Sequence, residues 1–298
     1  MDIPFRQLNV DRIDLGECPI WDGPRRLVWF VDVLGRTLYN YDPHSGCILD
    51  FVMPSEVTCV GLAQGNRLVL GMKTGVHLFD PGSGQLDFLV HPEPDNPDNR
   101  LNDGRVGPDG CLWIGSMHDS SPRRPTGALY RVRPDGGCEA IRNGVCVSNG
   151  LAWSPDGRRM YYADSRSSTN EGVVLAYDFD PVGGVASRER MFAKMSLSDG
   201  LPDGAAVDAD GCYWSAGVTA GCLNRFSPDG SLLTRIAVPV GAPTMPCFGG
   251  EALDQLFVTA LTREQDGMLH EGAFLAAADR VPYRGIPEWR FGVGLRAA

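Results

Sequence analysis

Glu17, Asn102, Asn149 and Asp203 are four oxygen-donor side chains that share one register in this sequence. Two carboxylates and two amide oxygens, with no histidine or thiolate cluster beside them, suit a hard cation. Oxygen sites favour calcium, magnesium or manganese, and carboxylates also hold zinc or Fe(II). The register is read from tight turns. PDG at 108–110, PDG at 155–157 and ADG at 209–211 each lie between two strand-like runs, as a hairpin turn would. Counting seven residues back from positions 109, 156 and 210 reaches Asn102, Asn149 and Asp203. Weaker turns at Pro24, Asn66 and Leu253 extend the series to Glu17, Cys59 and Pro246. Asn and Asp also start turns on their own account, and it is the common register that sets these positions apart. Cys59 reads as a small buried apolar residue rather than a ligand or nucleophile and stays outside the candidate site.

Positions so far apart in sequence meet only if a repeated element delivers each to one point. RLVWFVDV, RLVLGMK, CLWIGSM, RRMYYADS, CYWSAGV and QLFVTAL are short runs rich in β-branched or aromatic residues, each preceded by a turn signal, and they read as strands. The six register positions are separated by 42, 43, 47, 54 and 43 residues, the period of propeller blades. The expected fold is all-β: a six-bladed β-propeller with four-stranded antiparallel blades around a central channel, one domain spanning residues 1–298. In such a fold each innermost strand begins at one mouth of the channel, so equivalent starting positions form a ring. The second strand of each blade returns to that mouth, which brings Asp32, Lys73, Met117 to Asp119, Asp164 and Thr262 there. The irregular segments 91–100, 118–126, 165–171 and 263–271 project from the same face, where loops on a rigid scaffold carry function. His118 and Asp119 are therefore candidate substrate contacts.

Composition narrows the function classes. The net charge of −10 and pI near 5.0 oppose binding to nucleic acid or an anionic membrane, which needs a cationic footprint. No apolar run approaches the length of a membrane span, and the N-terminus lacks a basic-then-apolar signal region. Nine cysteines form no C-x-x-C pair and read as reduced thiols of a cytoplasmic protein. No G-x-S-x-G elbow, P-loop or G-x-G-x-x-G occurs, so a serine α/β-hydrolase mechanism and a nucleotide site lack support.

LGECPIW at 15–21, RLNDGRVGPDG at 100–110, SNGLAWSPDG at 148–157, LPDGAAVDADG at 201–211 and PCFGG at 246–250 resemble the regucalcin and gluconolactonase family, over nearly the whole chain. GMKTGVHLF and GSMHD look like its bacterial pentonolactonase members. The resemblance implies a lactonase, a carboxylic-ester hydrolase opening an aldonolactone such as glucono-, xylono- or arabinonolactone with one divalent metal ion (Ca, Zn, Mn, Mg or Fe(II)). By motif, Glu17, Asn149 and Asp203 match the family's metal ligands, Asp203 its general base, and Arg100 and Asn102 its substrate-binding pair. A three-ligand set leaves positions for water and substrate, as a catalytic metal requires. In animal regucalcins an acidic residue stands three positions after the Met of the G-x-M motif. Here Ser120 occupies that place, with Asp119 one before. The implied partner is a small-molecule sugar lactone, with no nucleic acid and no membrane, and the chain is expected as a monomer or weak homo-oligomer. Two other readings use the same scaffold: a phosphotriesterase-like propeller hydrolase, and a non-catalytic calcium-binding propeller that needs no Arg100.

Overall fold

The computed structural model describes residues 3–8, 10, 13–166, 171–265, 268–277 and 279–295. Among them every regular element is a β-strand except one 3-10 turn, Gln64–Asn66. The strands form six sheets that follow one another along the chain as the blades of a propeller, and a two-stranded hairpin, Arg263–Gln265 with Met268–His270, projects from the last of them. Blades 1 to 6 begin with the inner strands Gly16–Asp22, Val57–Ala63, Asn99–Val106, Ser148–Trp153, Pro202–Val207 and Pro243–Gly249. Each inner strand packs against those of the two neighbouring blades, and the sixth packs against the first.

The apolar runs of the sequence are the second strands: Leu27–Asp32, Leu68–Met72, Leu112–His118, Arg159–Asp164, Tyr213–Gly217 and Gln255–Ala260. They read as unbroken apolar stretches because both faces of each are covered by adjacent blades. Outer strands such as Val185–Met195 and Leu232–Ala237 carry mostly exposed residues. Between blades the contacts are aromatic: Trp113, Trp153 and Phe179 meet edge to face with centroids 5.5 to 6.1 Å apart. Fully burying one such side chain contributes about 1.5–3 kcal/mol.

Gly110, Gly157 and Gly211 close the hairpins of blades 3, 4 and 5 with φ of +74°, +68° and +80°. That left-handed backbone is open to glycine at little cost, which is why Asp-Gly marks these turns. Blades 1, 2 and 6 lack the Asp-Gly pair; there Arg26, Asn66 and Leu253 take positive φ, joined in blades 2 and 6 by Gly65 and Gly250.

Two segments close the ring. The strand Phe5–Gln7 pairs with Phe274–Ala277 as the outermost strand of blade 6, so the last blade is built from both ends of the chain. The C-terminal segment crosses the hairpin end of the channel. Gly285 bridges Asp208 of blade 5, Glu288 ion-pairs with Arg105 of blade 3, and Arg290–Phe291 adds in parallel to the inner strand of blade 2. A cavity of about 20 Å³ lined by Arg105, Glu288 and Trp289 lies there, and beside it one of about 500 Å³ lined by Trp21, Leu62, Pro287, Glu288 and Arg290. No helix among the described residues is long and apolar enough to cross a membrane.

Candidate active site

The opposite end of the channel is organised by one hydrogen bond repeated in all six blades. The amide following each second strand donates to the carbonyl just ahead of the inner strand. Val33 bonds Leu15 (2.9 Å), Lys73 bonds Glu56 (2.9 Å), Asp119 bonds Asp98 (2.9 Å), Ser165 bonds Val147 (3.0 Å), Val218 bonds Leu201 (3.1 Å) and Leu261 bonds Ala242 (3.0 Å). The residues two beyond these acceptors are structurally equivalent: Glu17, Thr58, Arg100, Asn149, Asp203 and Thr244. Strand pairing one residue earlier agrees, from Gly16 opposite Asp32 round to Pro243 opposite Ala260.

This ring corrects the one counted from the turns. Glu17, Asn149 and Asp203 stand in it, but Arg100, Thr58 and Thr244 occupy the places expected for Asn102, Cys59 and Pro246. The inner strands hold six to eight residues, and each has a register irregularity near the mouth, as at 17–20, 101–104, 149–152 and 202–205. The bulge is common to all six blades, but the chain runs seven residues from ring position to turn in blades 1, 4 and 5 and eight, nine and nine in blades 2, 3 and 6, so a fixed count of seven drifts by one or two. Thr58 and Thr244 donate to the carbonyls of Gly71 and Gly16 and are absorbed into the scaffold.

The ring opens into a cavity of about 430 Å³, whose wall includes Glu17, Arg100, Asn102, Asn149 and Asp203. The backbone beside the ring is specialised. Gly150 has φ of +67°, and a Cβ there would meet the Tyr213 hydroxyl at 2.5 Å. Cys18, after Glu17, holds φ of +49°, a conformation that a non-glycine residue seldom adopts.

A chain of hydrogen bonds orients the polar groups. Asp119 accepts Arg100 Nε at 3.0 Å and Lys73 Nζ at 2.9 Å. Arg100 Nη1 donates to Asn102 Oδ1 at 2.7 Å. The Asn102 amide donates to Asn149 Oδ1 at 3.0 Å and to the Ser148 carbonyl at 2.8 Å. Asn149 Nδ2 donates to Ser165 Oγ at 2.7 Å, which fixes the side of the Asn149 amide that carries the oxygen. Both polar groups of Asn102 are thus engaged within the protein.

The carboxylates are differently placed. Burial, with the charges of Asp203 and Asp103, raises the Glu17 carboxyl well above its ordinary range. Burial and Asp103 push Asp203 up to about 8. Asp103 lies behind the wall, itself raised by burial, and accepts the Leu151 amide at 3.3 Å. Neither Glu17 nor Asp203 has an ion-pair partner within 4 Å among the described residues. Two buried carboxylates that repel each other are costly when ionised, and a divalent cation between them removes that cost. The donor set fits such a cation once the Asn149 oxygen is counted, since among the described residues no three His, Cys, Asp or Glu side chains converge.

The structure brings Glu17, Arg100, Asn102, Asn149 and Asp203 together and leaves two expected contacts off the cavity wall. His118 is 3 % exposed, its Nδ1 donating to the Ser120 carbonyl at 3.0 Å and its Nε2 accepting Arg124 Nε at 2.9 Å. Asp119 stands behind Arg100. Asp32 and Asp164 end their strands at the mouth as expected, where they cap backbone amides leading into inner strands: Asp14 and Leu15 for the first, Cys146 and Val147 for the second. Of the mouth segments, residues 167–170 and 266–267 lie outside the described residues. Ser165, Arg123, Arg166 and Arg263 also line the cavity. The sequence marked their loops but none of these four residues, because a loop arginine has no register to read.

Asp119→Asn is expected to loosen Arg100 and raise KM about tenfold with a smaller change in kcat, the scale of one charge-assisted hydrogen bond. Steady-state kinetics would check it, and an unchanged KM would mean Arg100 is held without Asp119.

Residues 15–262 match the model of the SMP-30/gluconolactonase/LRE-like region. The 6-deoxy-6-sulfogluconolactonase of Pseudomonas putida is 36% identical over 247 residues, covering 83% of each chain. The L-arabinolactonase of Azospirillum brasilense is 32% identical over 252 residues, covering 84% of this chain and 81% of its own. Among solved structures, a calcium-binding regucalcin of Agrobacterium tumefaciens superposes with a TM-score of 0.87 at 26% identity, covering 97% of this chain and 98% of its own. With five clustered mouth residues drawn from the motifs that carry this likeness, the chain belongs to the SMP-30/gluconolactonase/LRE-like family.

Proposed function

We propose that the chain is a metal-dependent lactonase that hydrolyses a sugar lactone to its aldonic acid at the mouth of the propeller channel. The observation that carries this reading is the pairing of two buried, mutually repelling carboxylates with a single oriented amide oxygen on the wall of a sugar-sized cavity. Glu17, Asn149 and Asp203 would hold the cation. When bound there, it supplies Lewis-acid polarisation of an ester carbonyl and lowers the pKa of water.

The protein groups divide the remaining work. Asp203 is the carboxylate placed to accept the proton of the attacking water. Asn102 holds the Asn149 amide in its ligating orientation. Arg100, anchored on Asp119, directs its guanidinium at the lactone oxygens and limits the poses the ring can take. The C-terminal segment crosses the hairpin end of the channel, which leaves the opposite mouth to the substrate. Nine free thiols, with no disulfide among the described residues, support a reducing, cytoplasmic setting.

The test is a chelated protein reloaded with single metals and supplied with glucono-, xylono-, arabinono- and galactonolactones, following acid release. Metal should accelerate hydrolysis of at least one lactone about 1000-fold over the chelated protein. Reloading should also raise the thermal midpoint, as any ligand confined to the folded state does. Metal binding with no acceleration across the panel would overturn the lactonase reading in favour of a calcium-binding propeller, the property stated for the Agrobacterium structure. The two lactonase relatives are named for substrates of unlike charge, one sulfonated and one neutral, so they leave the substituents of the lactone open.

A further inference from the structure

Four guanidinium groups stand at the cavity: Arg100 from the inner strand of blade 3, and Arg123, Arg166 and Arg263 from the loops of blades 3, 4 and 6. They gather in a chain whose net charge is −10, so a basic composition does not explain them. Arg100 is paired with Asp119. The other three have no carboxylate within 4 Å among the described residues. Arg123 and Arg263 are tethered by one nitrogen each, Arg123 Nη1 to the His118 carbonyl and Arg263 Nη1 to the Val218 carbonyl at 3.2 Å. Their other donors remain for a ligand. Burial makes Arg123 harder to ionise, the nearby Asp119 offsets part of that, and the like charge of Arg166 adds to it. A protein seldom leaves like charges crowded at a half-buried wall unless a counter-charge arrives there.

The cavity is therefore polarised. Its strand-borne ring offers carboxylates and an amide oxygen, and its loop-borne rim offers cations. A neutral sugar lactone uses only the first of these. Guanidinium forks match the geometry of sulfonate and phosphate oxygens.

We propose that the lactone taken by this site carries a second, permanently anionic group, a sulfonate or phosphate monoester at the end of the sugar remote from the ring carbonyl, held by Arg123, Arg166 and Arg263. The proposal rests on the lactonase reading for its carbonyl end. The rim makes no contact with the reacting ester, so its effect appears in affinity and specificity rather than in the chemical step. Attraction between a rim of this kind and its ligand weakens as salt rises.

The experiment compares glucono-1,5-lactone with its 6-phospho and 6-deoxy-6-sulfo analogues on the metal-loaded enzyme. One of the anionic lactones should exceed the neutral one in kcat/KM by about 100-fold, and which one it is separates phosphate from sulfonate. Arg123→Gln and Arg263→Gln should each lower that value about tenfold through KM, and change the neutral lactone less than about threefold. Neutral lactone hydrolysed as well as both analogues would overturn the anion site while leaving the lactonase reading intact. Hydrolysis of none would overturn the lactonase reading. The anion site would still be decided by calorimetric titration with the stable acids gluconate, 6-phosphogluconate and 6-deoxy-6-sulfogluconate. Tighter binding of a substituted acid, lost in Arg263→Gln and reduced by salt, supports it; equal binding of all three sinks it.

Discussion

Asp203→Asn is expected to abolish metal-dependent turnover, lowering kcat/KM by about 1000-fold or more, the scale of losing a general base. The change is isosteric, so it removes a charge and a proton acceptor without opening a cavity. It should also remove most of the stabilisation that added metal confers. A variant that merely misfolds is distinguished by the metal-free protein, where the same substitution should raise the thermal midpoint by ~5 °C near pH 8.

The sign of that second effect follows from the raised carboxyl. In the metal-free fold Asp203 titrates at about 8, against roughly 3.9 in an unfolded chain. Between those values the folded state retains a proton that the unfolded state has released, so stability falls as pH rises. The penalty is absent below about pH 4 and complete above the folded value. The advantage of Asp203→Asn over the parent should therefore vanish in acid and grow through neutrality. Thermal melts of both proteins in chelator from pH 4 to 9 would show it, and a variant less stable than the parent at pH 8 would remove electrostatic strain as the reason for expecting a cation there.

The second large effect lies at the other end of the channel. Glu288→Ala is expected to destabilise the fold by about 3–5 kcal/mol, because it strands the buried Arg105 guanidinium without a counter-ion. The Arg105 and Glu288 side chains are only 12% and 11% exposed, which spares the pair the screening that weakens surface ion pairs. Arg105 also donates to the Ala205 carbonyl at 2.6 Å, two residues from Asp203, and so ties the closing segment to the strand that carries the proposed base. The double variant Arg105→Met, Glu288→Leu should recover most of the loss, since apolar replacements leave no unpaired charge. Urea unfolding of the parent and both variants would check this. A Glu288→Ala protein within 1 kcal/mol of the parent, a range typical of exposed pairs, would show that the segment does not depend on the pair.

The repeat and half of the site were legible in the sequence because both depend on local rules. Second strands covered on both faces read as continuous apolar runs, and Asp-Gly turns mark hairpins whose backbone needs positive φ, as at Gly110, Gly157 and Gly211. Glu17, Asn149 and Asp203 emerged from a fixed count because their strands span the mouth and the turn with nearly the same number of residues. Where a strand carries extra residues the count failed. Arg100 holds the ring position that the spacing assigned to Asn102, and Thr58 and Thr244 hold those assigned to Cys59 and Pro246, because the length of each hairpin between mouth and turn is set by pairing with the second strand.

The rest required three dimensions. The sequence placed His118 and Asp119 at the mouth, and they are near it, but side-chain partners decide where they point: Arg124 of the same loop engages His118, and Arg100 with Lys73 claims Asp119. The C-terminal segment that crosses the hairpin end of the channel has no repeat to announce it. The arginine rim comes from three loops remote in sequence. By itself the sequence determined the repeat, the fold class and the chemical types of the ring, since these follow from local backbone preference and apolar pattern. Only the tertiary structure decided which donors share a ring, which are already engaged by neighbours, and how charge is distributed around the cavity, because those depend on contacts between residues that the chain brings together last.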